Sequence, residues 1–319
     1  YLTWELVPWI GRYVSDYDVI HMHTVRTFQN AVVRRAAVAR DVPYVLSAHG
    51  TLPVIVERKL AKRIFDVIAG RAIVRDAVKL IAVSGAEVQQ YLEAGVRQSK
   101  IKVIHNGFDL DEYGHPPPKG AFRQKYTALR EHTKIVLYLG RLHKRKRVDL
   151  LIRAFSRLDG RVDARLFIVG PDDGDLVALK GLVRQLGLAE SVTFTGPLYG
   201  QEKLAAYVDA DVLVSPGVHE IFGLVPFEAL LCGTPVVVSD DCGSGQLIRE
   251  LGGGYAVPSD EDALAEAIAA VLGCARSAAS TVDRGRKFIH EHLDWRKIAA
   301  ETEALYQSLL SAHKIGEPE

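Results

Sequence analysis

Short runs of β-branched and other apolar residues recur along the chain, and most are followed by a stretch in which apolar residues return every three to four positions. The first pattern predicts buried strands and the second amphipathic helices. Strands are expected at Asp18 to His21, Tyr44 to Ser47, Lys79 to Val83 and Lys102 to Ile104, separated by helices at about 28 to 40, 58 to 76 and 85 to 94. A stiff polar break, His115-Pro116-Pro117-Pro118-Lys119-Gly120, then reads as an interdomain linker. Six more strands are expected at 134 to 139, 164 to 169, 191 to 194, 211 to 214, 235 to 238 and 254 to 257, and a purely helical tail from about 277 to 311. Strands alternating with helices predict α/β layers with parallel sheets, and 319 residues favour two domains over one.

In open parallel sheets the ligand crevice lies at the carboxyl ends of the strands. Five features fall there: Ser47-Ala48-His49-Gly50, Asn106-Gly107, Gly140-Arg141, Gly170-Pro171 and the loop around Glu220. The richest is HEIFGLVPFEALLCGTPVV, residues 219 to 237, in which Glu220 and Glu228 bracket a turn that opens a short buried helix. The N–H groups of Gly223 and Leu224 are placed in its first turn, unpaired within the helix and at its positive end, which makes an anion site. Gly223, without a Cβ, would let a phosphate or sugar approach the backbone. Two carboxylates also raise a glycosidase, but eight helical residues separate them by roughly 12 Å of rise. Glycosidase pairs want roughly 5 to 9.5 Å. Hydroxyl binding to sugar and ribose suits the pair better. The plainer alternative is a solvated Glu220 beside an ordinary buried helix.

Gly140-Arg141-Leu142-His143-Lys144-Arg145-Lys146-Arg147 places five Lys or Arg in the seven positions from Arg141. Beside a strand end such a cluster suits a diphosphate leaving group, with a solvated loop as the alternative. His49 is a lone histidine at a strand end. His21 and His23 alternate like metal ligands without a carboxylate to complete a set. Between Glu57 and Lys79, seven Lys or Arg stand against three Asp or Glu around apolar Leu60, Ile64, Phe65 and Ile68. That reads as a core-facing stripe with a solvated basic face, or as attachment to anionic lipid.

Taken together these motifs resemble the retaining glycosyltransferases of GT-B fold, often called glycosyltransferase group 1. Glu220, Phe222 to Pro226, Glu228, Ala229 and Cys232 to Val237 match that family's pattern of two glutamates seven residues apart. Arg141 and Lys146 match its G-R-L-x-x-x-K-G diphosphate loop, with Arg147 where the family usually has Gly; the segment around His49 matches S-x-H-G. Asn106 to Asp109 matches an N-G-x-D turn, and Thr195 to Tyr199, including Leu198, matches the segment whose backbone reads the nucleotide base. The resemblance covers almost the whole chain.

It implies two Rossmann-like domains facing across a cleft: residues 1–115 on the acceptor side, 120–290 binding a nucleotide sugar, and 291–319 crossing back to the first domain. It implies transfer of a hexosyl unit from a UDP or GDP sugar to a polysaccharide or lipid-linked glycan, with retained configuration and with no metal or cofactor. The implied catalytic residues are Glu220, His49, Arg141 and Lys146. Arg141, Lys146, Leu198, Phe222, Gly223, Leu224 and Glu228 would bind the donor, with Glu228 on the ribose. His23 and Asn106 would lie on the acceptor side. A same-fold sugar-nucleotide epimerase and a non-catalytic nucleotide-sugar-binding module are the alternatives. D-V-I-H-M-H, L-S-A-H-G-T-L and F-T-G-P-L-Y-G are similar to bacterial or archaeal enzymes that build surface polysaccharides.

Composition adds bounds. With 48% hydrophobic and 25% charged residues and a net charge of +1, the balance points to no nucleic-acid partner. Cys232, Cys242 and Cys274 make an odd number without metal spacing, which favours neither disulfides nor zinc. A cytoplasmic protein is expected, with the basic helix 57–79 as the segment that would contact the inner face of the membrane. The chain begins at Tyr1 without the strand and glycine-rich turn that open the family's first domain, so that domain is expected to be incomplete.

Overall fold

The computed structural model describes residues 3–53, 59–125, 130, 132–158 and 162–315. The chain forms two compact units, Tyr1–Asn106 with Trp295–Glu319, and Gly107–Asp294.

The first unit carries four parallel strands in the order β1-β2-β3-β4: β1 (Ile20–His23), β2 (Tyr44–Ser47), β3 (Lys79–Ala82) and β4 (Ile101–Val103). β1 starts two residues later than its apolar run predicts. A 3₁₀ turn, Val14–Asp16, prolongs the preceding helix, and the ladder opens only where Ile20 N–H donates to Pro43 O at 3.0 Å. The helices are α1 (Leu6–Tyr13), α2 (Phe28–Ala39), α3 (Lys59–Phe65), α4 (Arg71–Asp76) and α5 (Gly85–Glu93), with a π turn, Asp66–Gly70, joining α3 to α4. Alternation along the strands sorts the core into two faces. Met22, Tyr44, Leu46, Leu80 and Ala82 pack with Ile10, Val14, Ala37, Ile73 and Tyr91. On the other side Val45, Ile81 and Ile104 are covered by Ile298, Leu305 and Leu309 of the last helix, Trp295–Ile315.

The expectation that Leu60, Ile64, Phe65 and Ile68 face the core is corrected. Only Phe65 packs against it, while Leu60, Ile64 and Ile68 are 73%, 51% and 76% exposed. A period of 3.6 says that one face is apolar and not which way it points, and the π turn inserts a residue that re-aims the faces. Positions 57 and 58 of that predicted basic helix lie outside the described residues, and position 79 already belongs to β3.

The second unit is a six-stranded parallel sheet in the order β10-β9-β8-β5-β6-β7: β5 (Lys134–Leu139), β6 (Ala164–Val169), β7 (Val192–Gly196), β8 (Val212–Ser215), β9 (Val236–Ser239) and β10 (Tyr255–Val257). Its helices are α6 (Val148–Ser156), α7 (Leu176–Gln185), α8 (Gly200–Asp209), α9 (Val225–Leu231), α10 (Gly243–Leu251), α11 (Glu261–Gly273) and α12 (Ala275–His292). Val136, Tyr138, Ile168 and Val214 join one core with α6, α7 and α11. Ile135, Leu137, Val169 and Leu213 join the other with α8 to α10 and α12. Both faces are covered, as a wholly parallel sheet requires.

Two boundaries differ from expectation. The units divide at Asn106/Gly107 instead of the Pro-rich stretch, because Phe108 and Tyr113 already sit in the second unit's core. The Asp209 carboxylate then accepts from Phe122 and Arg123 N–H at 2.8 Å each, fastening the segment after the prolines to α8. The helical tail is broken at Leu293 and Asp294, where Phe108 N–H donates to Leu293 O at 2.7 Å and Phe108 bridges Asp294. No single helix among the described residues is long and apolar enough to cross a membrane.

Candidate active site

Strand order in the second unit reverses between β5 and β8: the chain runs outward through β6 and β7, then returns to add β8, β9 and β10 on the other side. Loops leaving the carboxyl ends of two such strands diverge and leave a crevice between them. Here those loops are the basic segment after β5 and the Glu220 segment after β8.

The β5 loop is shaped by a close backbone approach. A Cβ on Gly170 would lie 1.8 Å from Gly140 O, so only glycine lets the β5 and β6 loops run side by side, tied by Leu142 N–H to Pro171 O at 2.9 Å. A 3₁₀ turn, Lys144–Lys146, follows and ends on Arg147 at φ +51°, the left-handed conformation in which glycine is strain-free. The departure from the family's glycine therefore leaves the backbone shape in place.

Lys146 reaches across to the β8 loop and pairs with the Glu220 carboxylate, with side chains 29% and 19% exposed. Val218 N–H donates to Arg145 O at 3.2 Å, and the Arg145 guanidinium approaches His219 O at 3.4 Å. Glu220 turns inward between two glycines. Its oxygens sit 2.8 Å from where a Gly217 Cβ would be and 2.9 Å from where a Gly223 Cβ would be. A Cβ at Gly223 would therefore crowd the Glu220 carboxylate. Ser244, at the start of α10, flanks the same point, and Gly243 N–H donates to Glu220 O at 2.8 Å.

A pocket of about 220 Å³ opens here, lined by Lys146, Glu220, Phe222, Gly223, Leu224 and Val225 among others. α9 has seven residues and Leu224 caps it, so Gly223 and Leu224 precede its first turn. Their N–H groups have no acceptor among the described residues, which leaves two donors for a ligand. Phe222 stacks on Phe227 with ring centroids 5.2 Å apart.

Arg141 and Glu228 stand apart from this cluster. The Arg141 guanidinium, 66% exposed, binds Asp173 at 2.8 Å. Glu228 accepts from the Tyr207 hydroxyl at 2.7 Å and lies 3.4 Å from Lys203. Leu198 packs at the edge of the second unit's core.

In the first unit the histidines form a row. His21 bonds Tyr306 Oη at 2.6 Å and Ser47 Oγ at 2.8 Å and stacks on His23. His23 Nδ1 is 2.9 Å from His49 Nε2 with the ring planes 10° from parallel. Burial, with His23 and His49 nearby, pushes His21 down to about 4, and burial also lowers His49. His49 has φ +49°. Its turn is braced by Glu87, which is fully buried and accepts from Gly50 N–H at 2.7 Å and Val83 N–H at 2.9 Å, and by Tyr91 Oη on Ala48 N–H at 2.9 Å. No group of three or more potential metal ligands occurs among the described residues. Asn106 ends the first unit.

The family model for glycosyl transferases group 1 matches residues 121–288, and that for glycosyltransferase family 4 matches residues 1–112. The chain is a group 1 glycosyltransferase by family. An uncharacterised glycosyltransferase of Methanocaldococcus jannaschii is 31% identical over 306 residues, 92% of this chain and 76% of that protein. D-inositol 3-phosphate glycosyltransferase of Mycobacteroides abscessus is 33% identical over 256 residues, 76% of this chain. The chain spans 55% of that relative's length. Among solved structures, Anabaena HepE in complex with UDP is similar at TM-score 0.83 and 23% identity, over 95% of this chain and 82% of that one. Sucrose-phosphate synthase from Thermosynechococcus elongatus is similar at 0.76 and 27%, over 96% and 76%. The two parallel-sheet domains match these GT-B neighbours.

Within this glycosyltransferase, the fold joins Lys146 to Glu220 and His23 to His49, pairs that are 74 and 26 residues apart in sequence. Sequence reasoning missed Gly217, Ser244, Lys203, Tyr207 and Glu87. The Gly243-Ser244-Gly245 run after an apolar strand was a usable signal for a tight strand-to-helix turn, and Ser84 with Glu87 was one for a capping box. Nothing in sequence marks Lys203 or Tyr207.

Proposed function

We propose that the protein transfers a hexosyl unit from a nucleoside-diphosphate sugar to a glycan or lipid-linked acceptor, with retention of configuration. One observation carries this reading: the Lys146–Glu220 pair at the mouth of a pocket built where strand order reverses, beside two N–H groups without acceptors. A cation, free backbone donors and a carboxylate are what a diphosphate joined to a sugar needs on its two sides.

In this proposal Lys146 and the N–H groups of Gly223 and Leu224 take the diphosphate. Arg141 joins them by leaving Asp173, an exposed pair worth at most about 1 kcal/mol. Phe222 and Leu198 line the donor site. Glu220 and His49 hold the sugar and Glu228 the ribose, with His23 and Asn106 on the acceptor side. The bond from the anomeric carbon to the diphosphate oxygen breaks while the acceptor oxygen bonds that carbon on the same face. The acceptor proton passes to the departing phosphate oxygen, so no protein base is assigned. Charge on the leaving group is met by side-chain cations and backbone, and we propose that no metal is required. UDP is the first base to try, since Anabaena HepE was solved with it. The acceptor side includes contact with the inner face of the membrane through α3 and α4.

The test is UDP release and product anomer with UDP- and GDP-sugars, in wild type and Glu220→Ala. Full turnover by Glu220→Ala would sink the site assignment. An inverted product would remove the retaining mechanism. Nucleotide binding without UDP release from any donor would favour a binding module.

A further inference from the structure

Glu228 sits in the first turn of α9 with its side chain 15% exposed, and its partners lie outside the Lys146–Glu220 cluster. α8 supplies two of them. The Tyr207 hydroxyl donates to Glu228 Oε2 at 2.7 Å, and Lys203 Nζ lies 3.4 Å from the same oxygen. Lys203 and Tyr207 are four residues apart on that helix, so they stand side by side on one face of it. Lys203 is itself only 18% exposed. Its Nζ lies 3.8 Å from Glu112 and 5.9 Å from the centre of the Tyr113 ring, both in the 3₁₀ turn Leu110–Tyr113. Burial, with Glu228 nearby, pushes the Tyr207 and Tyr113 phenols up, so both hydroxyls stay protonated donors at neutral pH.

Stability alone is a poor reason for this set, because desolvating two charges offsets most of their attraction and apolar residues would fill the space as well. Both α8 contacts fall on one oxygen of the carboxylate. An ionised carboxylate has about four lone-pair sites, so a group held this way and still partly open to solvent can accept further hydrogen bonds. Its direction is preset by neighbours that are themselves packed, which is what recognition of hydroxyls requires.

We propose that Tyr207 and Lys203 are positioning residues that aim the Glu228 carboxylate at the ribose hydroxyls of the donor, and that this arrangement makes the site select ribonucleotides over deoxyribonucleotides. The inference rests on Glu228 meeting the ribose in the proposed function and adds what sets its direction. Tyr207 fixes one oxygen by a directed O–H bond. Lys203 supplies the counter-charge, and Glu112 with the Tyr113 ring keeps Lys203 in place.

The test is calorimetric titration of the full chain with the nucleoside diphosphate, UDP or GDP, that the wild type binds, and with its 2′-deoxy and 3′-deoxy forms. Wild type should bind the ribonucleotide at least about tenfold more tightly than one or both deoxy forms, the fold-change of a hydrogen bond to a charged group. In Tyr207→Phe and Lys203→Met that preference should fall to about threefold or less, as the charged group's hydrogen bond to the ribose loses its alignment. The ribonucleotide should weaken while the deoxy forms bind as in wild type, since Lys146 still holds their diphosphate. Lys203→Arg should keep the preference. In turnover, KM for the donor sugar should rise in the first two variants with kcat little changed. Equal weakening of all the nucleotides would mark a packing defect and overturn the proposal, as would an intact preference in both variants or a wild type indifferent to the ribose hydroxyls. In each of those cases the transferase reading stands; a wild type that binds no nucleotide removes that reading and this inference together. If Tyr207→Phe fails to fold, Lys203→Met and Lys203→Arg decide.

Discussion

Glu220 is held by Lys146, by the close approach of Gly217 and Gly223, and through its own carbonyl by Gly243 N–H. Removing one charge of such a half-buried pair leaves the other short of a partner. Lys146→Met should therefore cost about 1–3 kcal/mol by urea unfolding. It should also lower donor turnover by about a hundredfold or more. Arg147 gives the opposite sign. It holds φ +51° and gains only a 3.4 Å contact to Asp149, so Arg147→Gly should raise stability by about 0.5 kcal/mol. His21 sets a pH dependence. Its folded pKa of about 4 lies below the ordinary 6.5, so its contribution is complete above 6.5 and lost as pH falls toward 4, where the unfolded chain takes a proton the folded one refuses. The urea midpoint should drop between pH 7 and 5, less so in His21→Asn. Identity and spacing made Lys146 and Glu220 legible as candidate site residues. Their pairing was not legible, nor was Arg141's turn to Asp173, because rotamer choice depends on neighbours brought in by the fold.

At the scale of elements, the site depends on turns that other elements brace. α5 supplies both Glu87 and Tyr91 to the His49 turn, and Tyr91→Phe would leave the buried Ala48 N–H unpaired. A loss of about 1–3 kcal/mol is expected, seen as faster amide exchange at Ala48. Gly170→Ala would drive a methyl into Gly140 O and part the β5 and β6 loops, so the proposed nucleotide binding, read by thermal shift with UDP, should vanish while the sheet's circular dichroism persists. Most elements could be read from periodicity, since alternation and 3.6-residue repeats follow from backbone geometry alone. The exceptions have local causes: the 3₁₀ turn that delays β1, the π turn that re-aims α3, and the break at Leu293–Asp294 where Phe108 intrudes.

For the whole molecule, the last helix closes the first unit by covering Val45, Ile81 and Ile104. Ending the chain before Trp295 removes Ile298, Leu305 and Leu309, each worth about 2 kcal/mol of burial. The first unit should then melt early while residues 107–294 keep their own transition, which calorimetry would resolve. Sequence alone determined the α/β class, the parallel sheets and the motifs at strand ends, because these depend on residues near one another in the chain. Tertiary structure decided the rest. Adding β8 beside β5, and not beyond β7, is what sets the Lys146 loop against the Glu220 loop, and strand order is a packing outcome that no local pattern encodes. The same holds for the apolar row of α3: its periodicity lay in the sequence, but only the packed fold turned it outward, where no part of the described core covers it.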